Sequence, residues 1–439
     1  MGLTLGMGGS PAAVPYLQMT LPTAFTDRWS PPMTFFESAG GQYLTNYDYT
    51  TLKPAITKTY WVAAGGNDGG AGTEGAPLAS LSVALAKGDV DEIVINTAAG
   101  DYLMRGSLGW NNTQPSRSLS IRVVGGNRAI SIAASSTSAP TWVAVSGAIY
   151  KTTITAANSS SVMDLANLQS DGFWQRLTAA GSLGAMTAGT YFHDGTDLNV
   201  WAYDSRNLVG DLRMSPCSES NNGRIPSASR TTYIDGVDFV GGAPLIYVAA
   251  GAVDPLVVPR NCTFQGARST SGGAKNNVSI EGPGRFYFDR CGSARSNEDA
   301  FNYHGNANGS PKVFENECWT STSGSVATNH NASSAHEDTP IIRLNGRYLG
   351  AFGRPVADIN DARVINLGCT FGQSQSTAAA NECLTAANTA LSWNGGCRFE
   401  SGPNPQLAVL NTATAYYRKM AAPVRAGTIE DTGTLSVWS

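Results

Sequence analysis

Short runs in which small or apolar residues alternate with polar ones, each ending near Gly, Ser or Asn, recur from Gly236 to Phe399. They read GVDFVGG at Gly236, NCTFQG at Asn261, DRCGS at Asp289, NECWTS at Asn316, GCTFGQS at Gly368 and GCRFES at Gly396. Aligning Val237, Cys262, Cys291, Cys318, Cys369 and Cys397 gives steps of 25, 29, 27, 51 and 28 residues. Leu344, in IIRLNGRY, splits the long step into 26 and 25. Two-residue alternation predicts strands. A repeat in the middle twenties predicts a solenoid, each coil burying its apolar face against its neighbours. The expected fold is therefore all-β, a right-handed parallel β-helix over about residues 214–400. The aligned Cys, Val or Leu form an inward column with one residue per sheet spacing, about 4.8 Å.

Upstream, Tyr60–Ala63 reads as a strand entering the loop GNDGGAG. A short amphipathic helix follows, with Leu78, Leu81 and Leu85 on one face, and then a strand with Ile93 and Ile95 inward. Such a helix plugs the open end of the solenoid, so 59–132 is read as cap and first coils. Periodicity breaks over 133–213. There TYFHDGTDLNVWAY predicts a hairpin turning at Asp194-Gly195, part of a small β insertion. Residues 1–58 are rich in Pro, Gly and aromatics without a helical period. They are expected to be an attachment segment whose aromatics another protein covers. Residues 401–439 are expected to cap the far end or join subunits.

The stretch from Tyr60 to Tyr102 resembles the opening of pectate-lyase-like β-helix proteins, on Asn67, Asp68, Gly72, Thr73, Pro77, Gly100 and Tyr102. The whole layout resembles phage tailspikes and related virion fibres. That resemblance implies a homotrimer that recognises a host surface polysaccharide and attaches to other virion proteins through residues 1–58. The motif sets of the polygalacturonase-like glycosidases and of the pectate lyases are absent, so depolymerase activity is left open. A polysaccharide lyase or hydrolase acting outside a virion is the alternative, and a non-catalytic structural fibre the third reading.

Composition narrows the partners. Only 14% of the 439 residues are charged and the net charge is −4, with no basic field for nucleic acid. No apolar run reaches membrane-spanning length. The opening MGLTLGMGGSPAAVPYLQMTLP lacks the form of a secretory signal. The expectation is a virion component made in the host cytoplasm. Five of the seven cysteines occupy the column, where they are read as reduced thiols packing as small hydrophobes. No CxxC pair exists, and neither cofactor nor metal is expected.

Counting from the column residue of each coil places Lys275, His304, His330 and Asp358 at offsets of 13, 13, 12 and 14. They are expected to stack on one polar ridge with Glu298, Asp299, His336, Glu337, Asp338 and Arg343 around them. Neighbouring and alternate coils set groups about 5 and 10 Å apart, which brackets the carboxylate spacings of retaining and inverting glycosidases. In a catalytic groove, Asp299 or Asp338 is the expected acid, Glu337 or Glu298 its partner, and His304 or His330 a relay. Lys275, His330, His336, Arg343 and Asp358 would bind substrate, with Trp174 and Trp201 as stacking platforms for sugar rings. The same ladder of polar turns also has a purely structural reading, in which it satisfies backbone groups.

Overall fold

The computed structural model describes residues 16–438 apart from 111–112, 220–221, 226–227, 243, 245, 250, 252, 269–275, 325–329, 373, 375–381, 401–406 and 420–432. Its body is a parallel β-solenoid built from three sheets of twelve, nine and eight strands. Each coil runs through a strand of the twelve-stranded sheet, a tight turn, the nine-stranded sheet, a loop and the eight-stranded sheet. Gly284–Asp289, Gly292–Ala294 and Phe301–His304 form one such coil, and Pro311–Asn316 starts the next.

The tight turn explains the repeated phrase. Gly236, Asn261, Arg290, Glu317, Asn345, Gly368 and Gly396 all sit there with φ between 49° and 87°. A left-handed residue costs a non-glycine about 1–2 kcal/mol. Each turn offsets that cost by donating its N–H to a carbonyl one coil on, as Arg290 does to Asn316. The next residue points inward: Val237, Cys262, Cys291, Cys318, Cys369 and Cys397 are all buried. All seven cysteines are unbonded and buried.

The column member missing from the sequence count is Gly346, not Leu344. Register pairs Trp319 with Arg347 and Arg347 with Thr370, which sets Gly346 between Cys318 and Cys369. A Cβ at Gly346 would lie 2.5 Å from the Tyr348 ring, so the vacated space holds that ring instead. Leu344 points out of the coil, beneath the N-terminal segment.

That segment accounts for the aromatics near the start. Tyr16–Gln18, Phe35–Ser38 and Tyr43–Thr45 form a three-stranded antiparallel sheet. From it and the turns beside it, Phe25, Trp29, Phe35, Tyr43 and Tyr49 pack on Tyr287, Phe314, Ile342, Ile365 and Trp393. The cover expected from another protein is supplied here by the chain's own twelve-stranded sheet. Strand Pro340–Leu344 is consequently buried at every position.

The helix Leu81–Leu85 lies over the first coils with Leu78, Leu81 and Leu85 fully buried. Asp68 of the Gly-rich loop accepts from the backbone N–H groups of Ala79 and Ser80 at 2.9 and 2.8 Å, so the loop positions the helix start. The region from Val143–Ser146 to Met214–Cys217 forms separate sheets of five and three strands. Its hairpin joins Thr190–His193 to Asp197–Trp201 through Gly195 at φ 105°. At the far end Leu407–Val409, Thr414–Arg418 and Thr434–Val437 continue the sheets in parallel past Glu400. Among the described residues no helix is long and apolar enough to cross a membrane.

Candidate functional site

Strand register rearranges the expected ridge. Tyr303 pairs with Ala335, so the residue opposite His304 on the next coil is His336, not His330. Their rings stack at 3.9 Å between centroids. His330 precedes strand Ser333–Ala335 and packs beside Gly324 instead. Asp358 pairs with Ala335, one residue before the ridge. Lys275 lies outside the described residues.

Asp358 and Arg343 belong to the lumen. Strands of the solenoid alternate inward and outward, and this parity turns Glu315, Arg343, Asp358 and Asn366 into the coil, where none is exposed. Arg343 Nη1 lies 2.9 Å from Asp358 Oδ1, and its Nε 3.6 Å from Glu315 Oε2. Tyr303 and Tyr348 donate their hydroxyls to Glu315. Burial raises the Asp358 carboxyl above the usual carboxylate range, with Arg343 opposing. Neither residue can touch a substrate, because both are sealed inside.

Asp299 is likewise occupied. Its carboxylate accepts from Asn331 N–H at 2.6 Å, Ser334 Oγ at 2.6 Å and Asn302 Nδ2 at 2.9 Å, and the residue is 5% exposed. It ties two coils together, with its carboxylate turned to these donors and away from solvent. Glu298 beside it is half-buried, and its backbone carbonyl accepts from Gly324.

Glu337 and Asp338 do reach solvent, on the turn after the eight-stranded sheet. Glu337, Asn360, Asn388 and Asn411 occupy equivalent left-handed positions there, at φ 52°, 62°, 62° and 60°. Their side chains form a ladder: Asn411 donates to Asn388 at 2.9 Å, Asn388 to Asn360 at 2.9 Å, and Asn360 to Glu337 Oε1 at 3.3 Å. Asparagine suits both the backbone and the ladder. At Glu337 the ladder ends in a carboxylate. Its other oxygen accepts from Gly305 N–H at 3.0 Å and lies 3.1 Å from His304 Nδ1. Burial, with His304 adding repulsion, pulls the His336 imidazolium pKa down to about 3. Arg28, from the N-terminal segment, bridges Asp338 at 3.3 Å and Asp361 at 2.6 Å.

A second open site lies on the nine-stranded sheet, where the insertion ends. Trp174, expected as a platform, is buried in the seam between insertion and coils, with the Arg128 guanidinium over its ring. Trp201 is half-buried on the insertion's own sheet, donating to Ser205 Oγ at 2.9 Å. Trp319, absent from the sequence-based expectations, is half-buried like Trp201 but lines a cleft on the solenoid. It is the first outward residue after a column cysteine, where other coils carry Thr263, Gly292, Arg347, Thr370 or Arg398. A Cβ on Gly292 would stand 2.5 Å from its indole, so the glycine lets the ring approach the backbone of the neighbouring coil.

Trp319, Asp171, Ser321, Arg347, Leu349 and Gly350 line a cleft of about 300 Å³. Asp171, from the turn after strand Ser161–Leu168, accepts from Ser321 Oγ at 2.7 Å and Arg295 Nη2 at 3.0 Å. Arg347 is the most open charge, paired loosely with Glu400 at 3.4 Å. A larger hollow of about 470 Å³ between insertion and coils, lined by Ser136, Pro140, Val143 and Lys151, offers no aromatic face. The Trp319 cleft combines a flat apolar surface with acceptors and donors at its rim.

No protein-family model matches the chain, and no curated protein is significantly similar to it. Solved structures resemble it in fold. One is XylC in complex with xylose, at 10% identity and TM-score 0.41, covering 87% of this chain and 86% of that one. A glycoside hydrolase matches at 10% and 0.39, covering 81% and 97%. Pectate lyase Pel9A matches at 11% and 0.34, covering 88% and 79%. Likeness at this level concerns the path of the chain and assigns no residue a role.

Proposed function

We propose that the chain is a polysaccharide-recognition protein of the phage tailspike or virion-fibre type, which grips a host surface glycan at the Trp319 cleft. The observation that carries this reading is an indole that lines an open cleft together with Asp171, Ser321 and Arg347. Sugar rings present flat apolar faces edged with hydroxyls. An aromatic plane with charged hydrogen-bonding groups around it matches both features. From Trp319 onward the outer face of this sheet carries Arg347, Thr370 and Arg398 in register, a track along which an extended chain can run.

The virion role rests on the overall layout. A homotrimer would multiply weak single-site sugar affinity. Residues 1–58 are the proposed contact with other virion proteins, and Leu17 on that segment is 73% exposed. The test is binding to a panel of capsular polysaccharides and lipopolysaccharides, with Trp319→Ala beside the wild type. Loss of an anchor aromatic is expected to weaken binding by roughly 30-fold with unfolding temperature unchanged. Absence of binding across the panel, or binding indifferent to Trp319→Ala, would overturn it.

One observation favours depolymerase activity as a second reading. Glu337 and Asp338 expose their carboxylates side by side, with His304 against Glu337. New reducing or unsaturated ends that disappear in Glu337→Gln would establish it.

A further inference from the structure

We propose that His304, His336 and Glu337 bind one divalent transition-metal ion of the zinc class. A ring nitrogen of each histidine and a carboxylate oxygen of Glu337 all lie within 4.8 Å of one another. Ligands bound at about 2.0–2.2 Å around a tetrahedral ion stand roughly 3.4 Å apart. The three donors therefore need to close by little more than an ångström, and His304 Nδ1 already lies 3.1 Å from Glu337 Oε2.

The scaffold favours that closure. His304 ends strand Phe301–His304 and His336 follows strand Ser333–Ala335, so the parallel ladder fixes the two backbones one strand apart. Rotation about χ2 turns the stacked rings into a converging pair, and His304 is exposed enough to move, at 38% of its side chain. His336 Nε2 is screened from solvent and has no hydrogen-bond partner among the described residues. A buried ring nitrogen left unpaired is costly, and a coordinated ion relieves that cost. Glu337 is already oriented, since Asn360 Nδ2 holds the carboxylate from behind at 3.3 Å. Outer partners of this kind set ligand direction. Two imidazoles and one carboxylate suit Zn²⁺, Co²⁺ or Ni²⁺ over the hard cations Ca²⁺ and Mg²⁺. Three protein ligands leave a fourth position for water.

The experiment uses the full chain, stripped with EDTA, titrated with Zn²⁺ by calorimetry and with Co²⁺ by visible absorption. One ion per chain is expected, with Co²⁺ bands of a four-coordinate site. His304→Ala and Glu337→Gln should each weaken binding by at least roughly tenfold, since losing only a ligand's supporting group costs that much. His193→Ala, on the insertion, should leave binding unchanged. Glu337→Gln replaces an exposed group and serves even where a histidine variant fails to fold. Absence of Zn²⁺ uptake, or uptake equal in wild type and Glu337→Gln, would overturn the site. The result does not depend on glycan binding at Trp319.

Discussion

Two polar clusters share the coils around strand Pro340–Leu344, one in the lumen about Arg343 and one on the ridge about Glu337. Both contain arginine, glutamate, aspartate and asparagine, to which the lumen adds tyrosines and the ridge histidines. Arg343, Glu315 and Asp358 have no exposed side-chain surface, whereas His304 and Glu337 keep 38% and 42% of theirs. The lumen cluster spends its hydrogen bonds on itself and joins strands across the coil. The ridge cluster ends a ladder and leaves a carboxylate and an imidazole facing outward. Strand parity separates the two: one residue of shift carries a charge from solvent into the core.

The largest effect is expected from breaking the sealed cluster. Arg343→Ala leaves two buried carboxylates without their cation, which typically costs about 3–5 kcal/mol. Urea unfolding of Arg343→Ala against Arg343→Met measures it. The Met variant should do no worse, since it fills volume without restoring charge. A loss below about 1 kcal/mol for Arg343→Ala would place that cluster with the exposed ones.

The ridge should respond to pH instead. His336 stays neutral in the folded metal-free chain down to about pH 3, while an unfolded histidine takes up a proton near pH 6.5. The unfolded state thus binds more protons in that window, so stability falls as pH drops from about 6.5 towards 3. The slope approaches about 1.4 kcal/mol per pH unit. Thermal unfolding at stepped pH should show this slope flattened in His336→Phe, with any remaining slope common to both proteins.

The smallest effect belongs to Arg28. Its bridges to Asp338 and Asp361 are exposed, so Arg28→Ala should cost only about 0.2–1 kcal/mol, less at high salt. A larger, salt-insensitive loss would show that the N-terminal segment anchors the ridge.

The sequence revealed the architecture because coils repeat. Alternation gave the strands, the Cys column gave the period, and Asp194-Gly195 gave the hairpin. Positions within a coil were legible only where no loop intervened. Counting forward from Cys318 crosses a loop of different length from its neighbour, so the count landed on His330 instead of His336. Leu344 passed for a column residue because its strand is covered on both faces, which erases the inward-outward contrast. Arg343 and Asp358 were expected outside because a charge usually is. Trp319 needed only the parity rule, since an aromatic beside an inward cysteine must face out.

The column of thiols has a further consequence. Cys262, Cys291, Cys318, Cys369 and Cys397 mark successive heights along the shaft, and each is shielded while its own coil is closed. A thiol-reactive reagent can attack a sulfur only after that coil opens. The order in which these five sites are alkylated would therefore record from which end the shaft frays, so the protein carries its own ruler of unravelling.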